Sequence, residues 1–269
     1  AVASVWLLHP FLISTTLYIV QRMAQLSALF CFAGLVGYLH GRAMVRTLPL
    51  RGYVWMSVSI GLGTLLALFS KENGVLLPAL ILVVEFTIVA SRTEECGTLS
   101  KVWYVFFLLL PSLAIITYLS RVFWVGSFFE QIAYREYSVY ERLLTESRIL
   151  FNYLRHWFLP ELYTSGLFHD HYAKSTGLFA PWTTFIAVIG HLLILVIAII
   201  KRKLWPLFSF SILFFYVAHL VESTVVALEL YFEHRNYLAV SFLFLPVCYS
   251  LSNILSKWSY RLCMLVLLV

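Results

Sequence analysis

Long apolar blocks alternate with short polar punctuation along most of this chain. A helix needs about 20 apolar residues to cross the hydrocarbon layer, with about 17 as the lower limit. Blocks near that length fall at 24–41, 53–69, 75–90, 102–120, 183–200, 206–221 and 237–255. They predict an all-α fold, a polytopic transmembrane helical bundle of about seven spans forming one domain over residues 1–269. Two apolar stubs, Ala1–Leu8 and Leu262–Val269, are too short to span. With no initiator Met and no signal-peptide pattern, they predict a piece of a longer protein, cut inside a helix at each end.

The connection 121–182 breaks the rule of short loops. Within it, Leu143, Leu144, Ile149, Leu150, Tyr153, Leu154 and Trp157 alternate with Glu141, Arg142, Glu146, Arg148 and Arg155. That spacing predicts an amphipathic helix over 137–158 lying at the membrane surface, stopped by Pro160. A shorter piece, 9–22, is apolar between Phe11 and Val20 but cannot cross, and reads as an outer re-entrant or surface helix.

Composition agrees with the pattern. Hydrophobic residues make up 61% of the 269 positions and charged residues 12%, too few charges for a soluble domain of this length. The basic residues also take sides. Arg42, Arg46, Arg51, Arg92, Lys101, Lys201, Arg202, Lys203, Lys257 and Arg261 fall in one set of loops, opposed there only by Glu94 and Glu95. The positive-inside rule assigns that set to the cytoplasm. The opposite face, carrying His9, Lys71, His169 and Glu233, then points to the periplasm of a bacterial inner membrane, or to the lumen in a eukaryote. Topology thus accounts for the net charge of +6, and no basic run interleaved with aromatics argues for nucleic acid. The four cysteines form no CxxC pair, which gives no metal knuckle or disulfide framework. No Walker A loop, dinucleotide fingerprint, GxSxG or HExxH is present.

Four polar clusters share the outer face. Glu222, Glu229, Glu233, His234, Arg235, Asn236 and Tyr237 form the densest, among apolar neighbours. Helical spacing would align its three carboxylates. Ionisable groups at membrane depth are costly and tend to be functional; the plainer reading is a solvated interhelical loop. Ser70–Gly74 brings Lys71, Glu72 and Asn73 to a tight turn, where Lys71 either neutralises a phosphate or pairs locally with Glu72. His9, Gln21 and Arg22 form a third cluster, in which Arg22 either binds lipid phosphate or anchors the interface. His169-Asp170-His171 is either a polar loop or part of a metal site lacking an evident third ligand. His191, His219 and Glu85 lie inside spans, where each can bond a neighbouring helix.

His9-Pro10, Tyr18–Met23, Leu68–Gly74 and Phe232–Leu238 occur in this order over most of the chain. The set resembles the membrane region of the GT-C superfamily of polytopic glycosyltransferases. It is similar to bacterial pilin (arabinofuranosyl) glycosyltransferases and to eukaryotic transmembrane-and-TPR O-mannosyltransferases. The resemblance implies a polyprenyl-phosphate-linked sugar as donor, and as acceptor a protein (pilin among the candidates) or a glycan. It places the family's principal acid in a first outer loop, upstream of residue 1. Combined with the clusters, it makes Glu233, Glu222 and His234 the catalytic candidates here. Arg22, Lys71 and Arg235 become the donor-phosphate ligands. His9, Gln21, Glu72, Asn73, Asn236, Tyr237, His169 and Asp170 form the rest of the wall. These residues make no cofactor certain, and a divalent metal stays open. Competing readings are an O-antigen ligase or polymerase-like transferase, a flippase for lipid-linked sugar, and a structural subunit.

Overall fold

The computed structural model describes residues 2–91, 97–128, 137–160 and 172–254. α1 (Val2–Leu8) leads into a broken segment: a 3-10 turn Pro10–Leu12, the short α2 (Ile13–Leu17) and a second 3-10 turn Ile19–Gln21. The single element expected over 9–22 is therefore three short pieces. α3 (Arg22–Met44) and α4 (Pro49–Ser70) follow. A 3-10 turn, Glu72–Leu76, opens α5 (Leu77–Val84), which runs on through a π-helical turn Glu85–Val89. α6 (Lys101–Tyr104) passes through another π-helical turn, Val105–Leu109, into α7 (Leu110–Phe128). α8 (Val139–Phe158), α9 (Thr183–Ile200), α10 (Pro206–Ala218), α11 (Asn236–Ala239) and α12 (Leu245–Ile254) complete the order. Among the described residues there is no strand, only an isolated bridge between Gly177 and Ala180.

Among the described residues, five helical stretches are long and apolar enough to cross a membrane: Ile19–Met44, Pro49–Ser70, Glu72–Val89, Lys101–Val125 and Thr183–Ile200. They mark an integral membrane protein built as an all-α bundle. The two remaining expected spans differ. The block at 206–221 yields a 13-residue helix ending at Ala218. The block at 237–255 divides at 240–244, where Leu243 N–H bonds Val240 O at 3.0 Å and Leu245 N–H bonds Phe242 O at 2.9 Å. Pro246 has no N–H to return to Phe242, so the α pattern lapses there.

α5 is the centre of the bundle: 67% of its span is buried, against 22% for Lys101–Val125 and for Thr183–Ile200. Leu76, Leu77, Leu80 and Ile81 are fully enclosed, with Phe214 and Phe215 of α10. α3 and α4 pack through small residues. A Cβ on Gly63 would lie 3.0 Å from Gly34 Cα, and one on Gly41 2.9 Å from Gly52 O. Close backbone approach of this kind replaces the hydrophobic drive that lipid cannot supply.

α8 starts on a capping box, Ser138 with Glu141. Its apolar stripe is as expected, with Ile149, Tyr153 and Trp157 enclosed. Its polar face is not all in water: Arg142 and Glu146 are each 1% exposed. The helix packs against α9 and is an internal support as much as a surface element. At the far end of the bundle, Glu85 accepts from Tyr38 at 2.6 Å and from Arg42 at 2.9 Å, while Arg42 also donates to Gly97 O at 2.8 Å. Arg202 lies 3.9 Å from the Phe86 ring centroid. These contacts gather the basic loops at one end, around a cavity of about 500 Å³ lined by Arg42, Glu85, Lys101 and Tyr104.

Candidate functional site

A cleft of about 330 Å³ opens at the other end of the bundle, where α3 begins and α4 and α10 end. Four sequence regions line it: Ser14 to Met23, Lys71 and Glu72, Glu222 to Glu229, and Phe232 to Arg235. Its polar lining is Ser14, Gln21, Lys71, Glu72, Glu222, Glu229, Glu233, His234 and Arg235, with Tyr18, Val20, Met23, Leu228 and Phe232 as an apolar lip.

Lys71 sits where α4 ends, its N–H on Ala67 O at 2.9 Å, and the chain reverses with Gly74 N–H on Lys71 O at 2.9 Å. Glycine is needed there because a Cβ on Gly74 would lie 2.1 Å from the Ala67 carbonyl carbon. The reversal aims Lys71 and Asn73 at Glu222. Lys71 Nζ pairs with Glu222 Oε1, and Asn73 Nδ2 donates to Oε2 at 2.5 Å. The Lys71 side chain is 5% exposed and that of Glu222 3%. Both Glu222 oxygens are thus committed.

The connection 219–232 is turns and extended chain, not the helix that would align Glu222, Glu229 and Glu233. The three carboxylates still share the cleft, because α8 shapes the connection. Arg142 donates from Nε to Thr224 O and from Nη2 to Glu222 O, both at 2.8 Å, and from Nη1 to the Leu228 and Glu229 carbonyls. Tyr137 hydroxyl donates to Leu228 O at 2.5 Å. Tyr153 hydroxyl donates to Phe232 O at 2.9 Å and accepts from Phe232 N–H at 3.0 Å. Unpaired carbonyls next to membrane are expensive, and one guanidinium satisfies several of them.

Arg235 is anchored the same way, donating to Glu229 O at 2.5 Å and Leu230 O at 2.9 Å, and lying 3.4 Å from Glu146 Oε1. Glu146 also pairs with Arg142 at 2.8 Å. Burial pushes its carboxyl up to about 7, against the opposing pull of Arg142 and Arg235. Glu233 accepts from Ser14 hydroxyl at 2.9 Å. Burial, with Lys71 and Arg235 adding to it, pushes His234 down to about 3, so its imidazole is neutral at pH 7. Among the described residues the lining holds more carboxylates than cations, and Lys71 and Arg235 are already engaged. A phosphate here would share Lys71 with Glu222 instead of meeting a bare ammonium.

The remaining expected site residues are distributed unevenly. Gln21 and Glu72 line the cleft. Asn73 and Asn236 stand behind it, Asn236 fully enclosed and donating to Glu233 O at 3.2 Å. Arg22 is exposed beside the cleft and is not in its lining. His9 is a structural clasp: Nε2 bonds Trp157 O at 2.9 Å, Nδ1 accepts from Phe11 N–H at 3.2 Å, and the ring stacks on Trp157 at 4.0 Å. Tyr237 packs on Trp6, whose Nε1 donates to Tyr237 O at 2.8 Å. His169 and Asp170 lie outside the described residues. His191 bonds Tyr216 hydroxyl at 2.5 Å and Ser147 O at 2.7 Å, joining three helices. His219 is 2% exposed, and neither ring nitrogen has a hydrogen-bond partner among the described residues. Among those residues no group of three His, Cys, Asp or Glu side chains is placed to hold a metal ion.

Sequence reasoning did not assign Ser14, Tyr18, Arg142 or Glu146 to the site. The Arg142–Glu146 spacing, i to i+4 inside an apolar stripe, was the available signal for the last two. No known protein family, curated protein or solved structure matches the chain.

Proposed function

We propose that the cleft is the active site of a GT-C type membrane glycosyltransferase. It would move a sugar from a polyprenyl-phosphate donor to a hydroxyl of a protein or glycan, on the periplasmic face of a bacterial inner membrane or its lumenal equivalent. The observation that carries the reading is the meeting of four distant segments in one cleft at a membrane end, where carboxylates and engaged cations face an apolar lip. A lipid-borne anion and a hydroxyl acceptor are the substrate pair that such a mixture suits.

In the reaction, the acceptor oxygen bonds to the sugar C1. Glu233 takes the acceptor proton. The bond from C1 to the phosphate oxygen breaks, and its electron pair leaves with the phosphate. Lys71 and Arg235 stabilise the charge growing on that leaving group. Glu222, with both oxygens committed, orients Lys71 and is not the base. The test is transfer of a labelled sugar from polyprenyl phosphate by the full-length protein. Lys71→Ala, Glu233→Gln and Arg235→Ala are each expected to lower the rate by about 10²-fold or more. Wild-type rates in all three would remove the cleft from the chemistry.

A further inference from the structure

Ser14, Tyr18 and Gln21 recur at i, i+4 and i+7 along the broken segment before α3, and all three line the cleft. The intervening Leu17 and Ile19 are 75% and 73% exposed and are not part of the cleft lining; they face outward as an apolar surface. The segment therefore has a cleft side and a lipid side.

Gln21 is the unusual member. It is 7% exposed, lines the cleft, and its Oε1 has no hydrogen-bond partner among the described residues. Leaving a buried amide oxygen unmatched is unfavourable. The oxygen is enclosed, and turning the terminal amide about its last torsion brings it to the cleft, where a ligand supplies the missing donor. Ser14 spends its proton on Glu233, which leaves the hydroxyl oxygen able to accept. Tyr18 adds a partly exposed ring, 38% accessible, at the lip. An uncharged amide, an oriented hydroxyl and an aromatic face together suit a polyhydroxylated ring, with hydrogen bonds to its hydroxyls and apolar packing on its C–H face. They offer nothing special to phosphate. The volume of about 330 Å³ is at the small end of ligand cavities, which fits one sugar ring better than an oligosaccharide.

We infer that Ser14, Tyr18 and Gln21 form a monosaccharide-reading wall, separate from the Lys71 and Arg235 side that meets the lipid phosphate, with Gln21 as the main specificity residue. This rests on the transferase reading of the cleft. It goes beyond that reading by assigning which wall distinguishes the sugar and by limiting the donor to a single residue.

The experiment measures Kd in detergent for the purified full chain with two probes: polyprenyl phosphate, and polyprenyl phosphate carrying one hexose, tried as glucose, galactose, mannose and N-acetylglucosamine. Wild type is expected to prefer at least one sugar-bearing lipid over the bare lipid. Gln21→Ala should lower that preference about three- to tenfold, the effect of one lost neutral hydrogen bond, and leave affinity for bare polyprenyl phosphate unchanged. Tyr18→Ala, at a partly exposed position, should lower the same preference and provides a test if Gln21→Ala does not fold. A wild-type preference that survives in both variants overturns the inference and leaves the transferase reading standing. A variant that loses both probes equally shows a structural role for the wall and also overturns it. A wild-type chain that binds neither probe, or binds both alike, removes the transferase reading and this inference together.

Discussion

Removing Glu222 should be one of the most damaging single changes in the protein. Lys71 is 5% exposed at its side chain, and Glu222 is its ion-pair partner. Glu222→Ala would leave a buried ammonium without a counter-charge, and breaking a buried pair from one side costs about 3–5 kcal/mol. Asn73 Nδ2 would also lose its acceptor at 2.5 Å, a further cost of about 1 kcal/mol. The sum is a large part of the ~5–15 kcal/mol that holds a typical fold together. Denaturant or thermal unfolding in micelles is the assay. Glu222→Gln should cost less, since it keeps the volume and an acceptor for Asn73. Lys71→Met combined with Glu222→Leu should recover most of the loss, because an apolar pair of similar size removes both charges; on the proposed transferase reading it should still lower sugar transfer by about 10²-fold or more, as Lys71→Ala does. A Glu222→Ala protein destabilised by less than about 1 kcal/mol would refute the buried-pair argument, as that is the range of solvated surface pairs.

Other outcomes follow from the same geometry. Gly74→Ala places a methyl 2.1 Å from the Ala67 carbonyl carbon, so it should destabilise by about 1–3 kcal/mol or more; an unchanged melting midpoint would show that the turn can relax freely. Arg142→Met should free the 222–229 connection, seen as faster amide hydrogen exchange there than in α3 or α4, and equal exchange in both proteins would deny Arg142 its role. For pH, His234 is pushed below its ordinary 6.5 to about 3. The unfolded chain therefore binds the extra proton between those values. Stability is full above about pH 6.5 and falls as pH drops toward 3. His234→Gln should flatten part of that slope, and identical profiles would exclude His234 as a contributor. On a cysteine-free background, Glu72→Cys and Glu229→Cys should react with an impermeant reagent from one face and Lys203→Cys from the other; labelling of positions 72 and 229 from opposite faces would dissolve the shared cleft.

Much of the fold was legible because membrane helices write their length directly into the sequence. The five spanning stretches coincide with expected apolar blocks, and the amphipathic stripe of α8 was visible from its spacing. Breaks inside apolar blocks were less legible. The turn at 240–244 and the π-helical turns at Glu85–Val89 and Val105–Leu109 depend on local hydrogen bonding that hydropathy does not record. At the site, Lys71, Glu222, Glu233 and Arg235 were found as types of residue, yet their pairings were not. Helical alignment of the three carboxylates was the wrong reason for a correct grouping.

The sequence alone determined that this chain lives in a membrane, because about 20 consecutive apolar residues have no other solvent that suits them. It also determined that polar residues would gather at helix ends, since the bilayer interior rejects them. Tertiary structure decided which of those residues meet. Arg142 of α8 bonds the carbonyls of Glu222 and Thr224, some 80 positions later in the chain, and Asn73 finds Glu222 across 149. Such pairings depend on how helices pack side by side, and spacing along one strand of sequence carries no record of that.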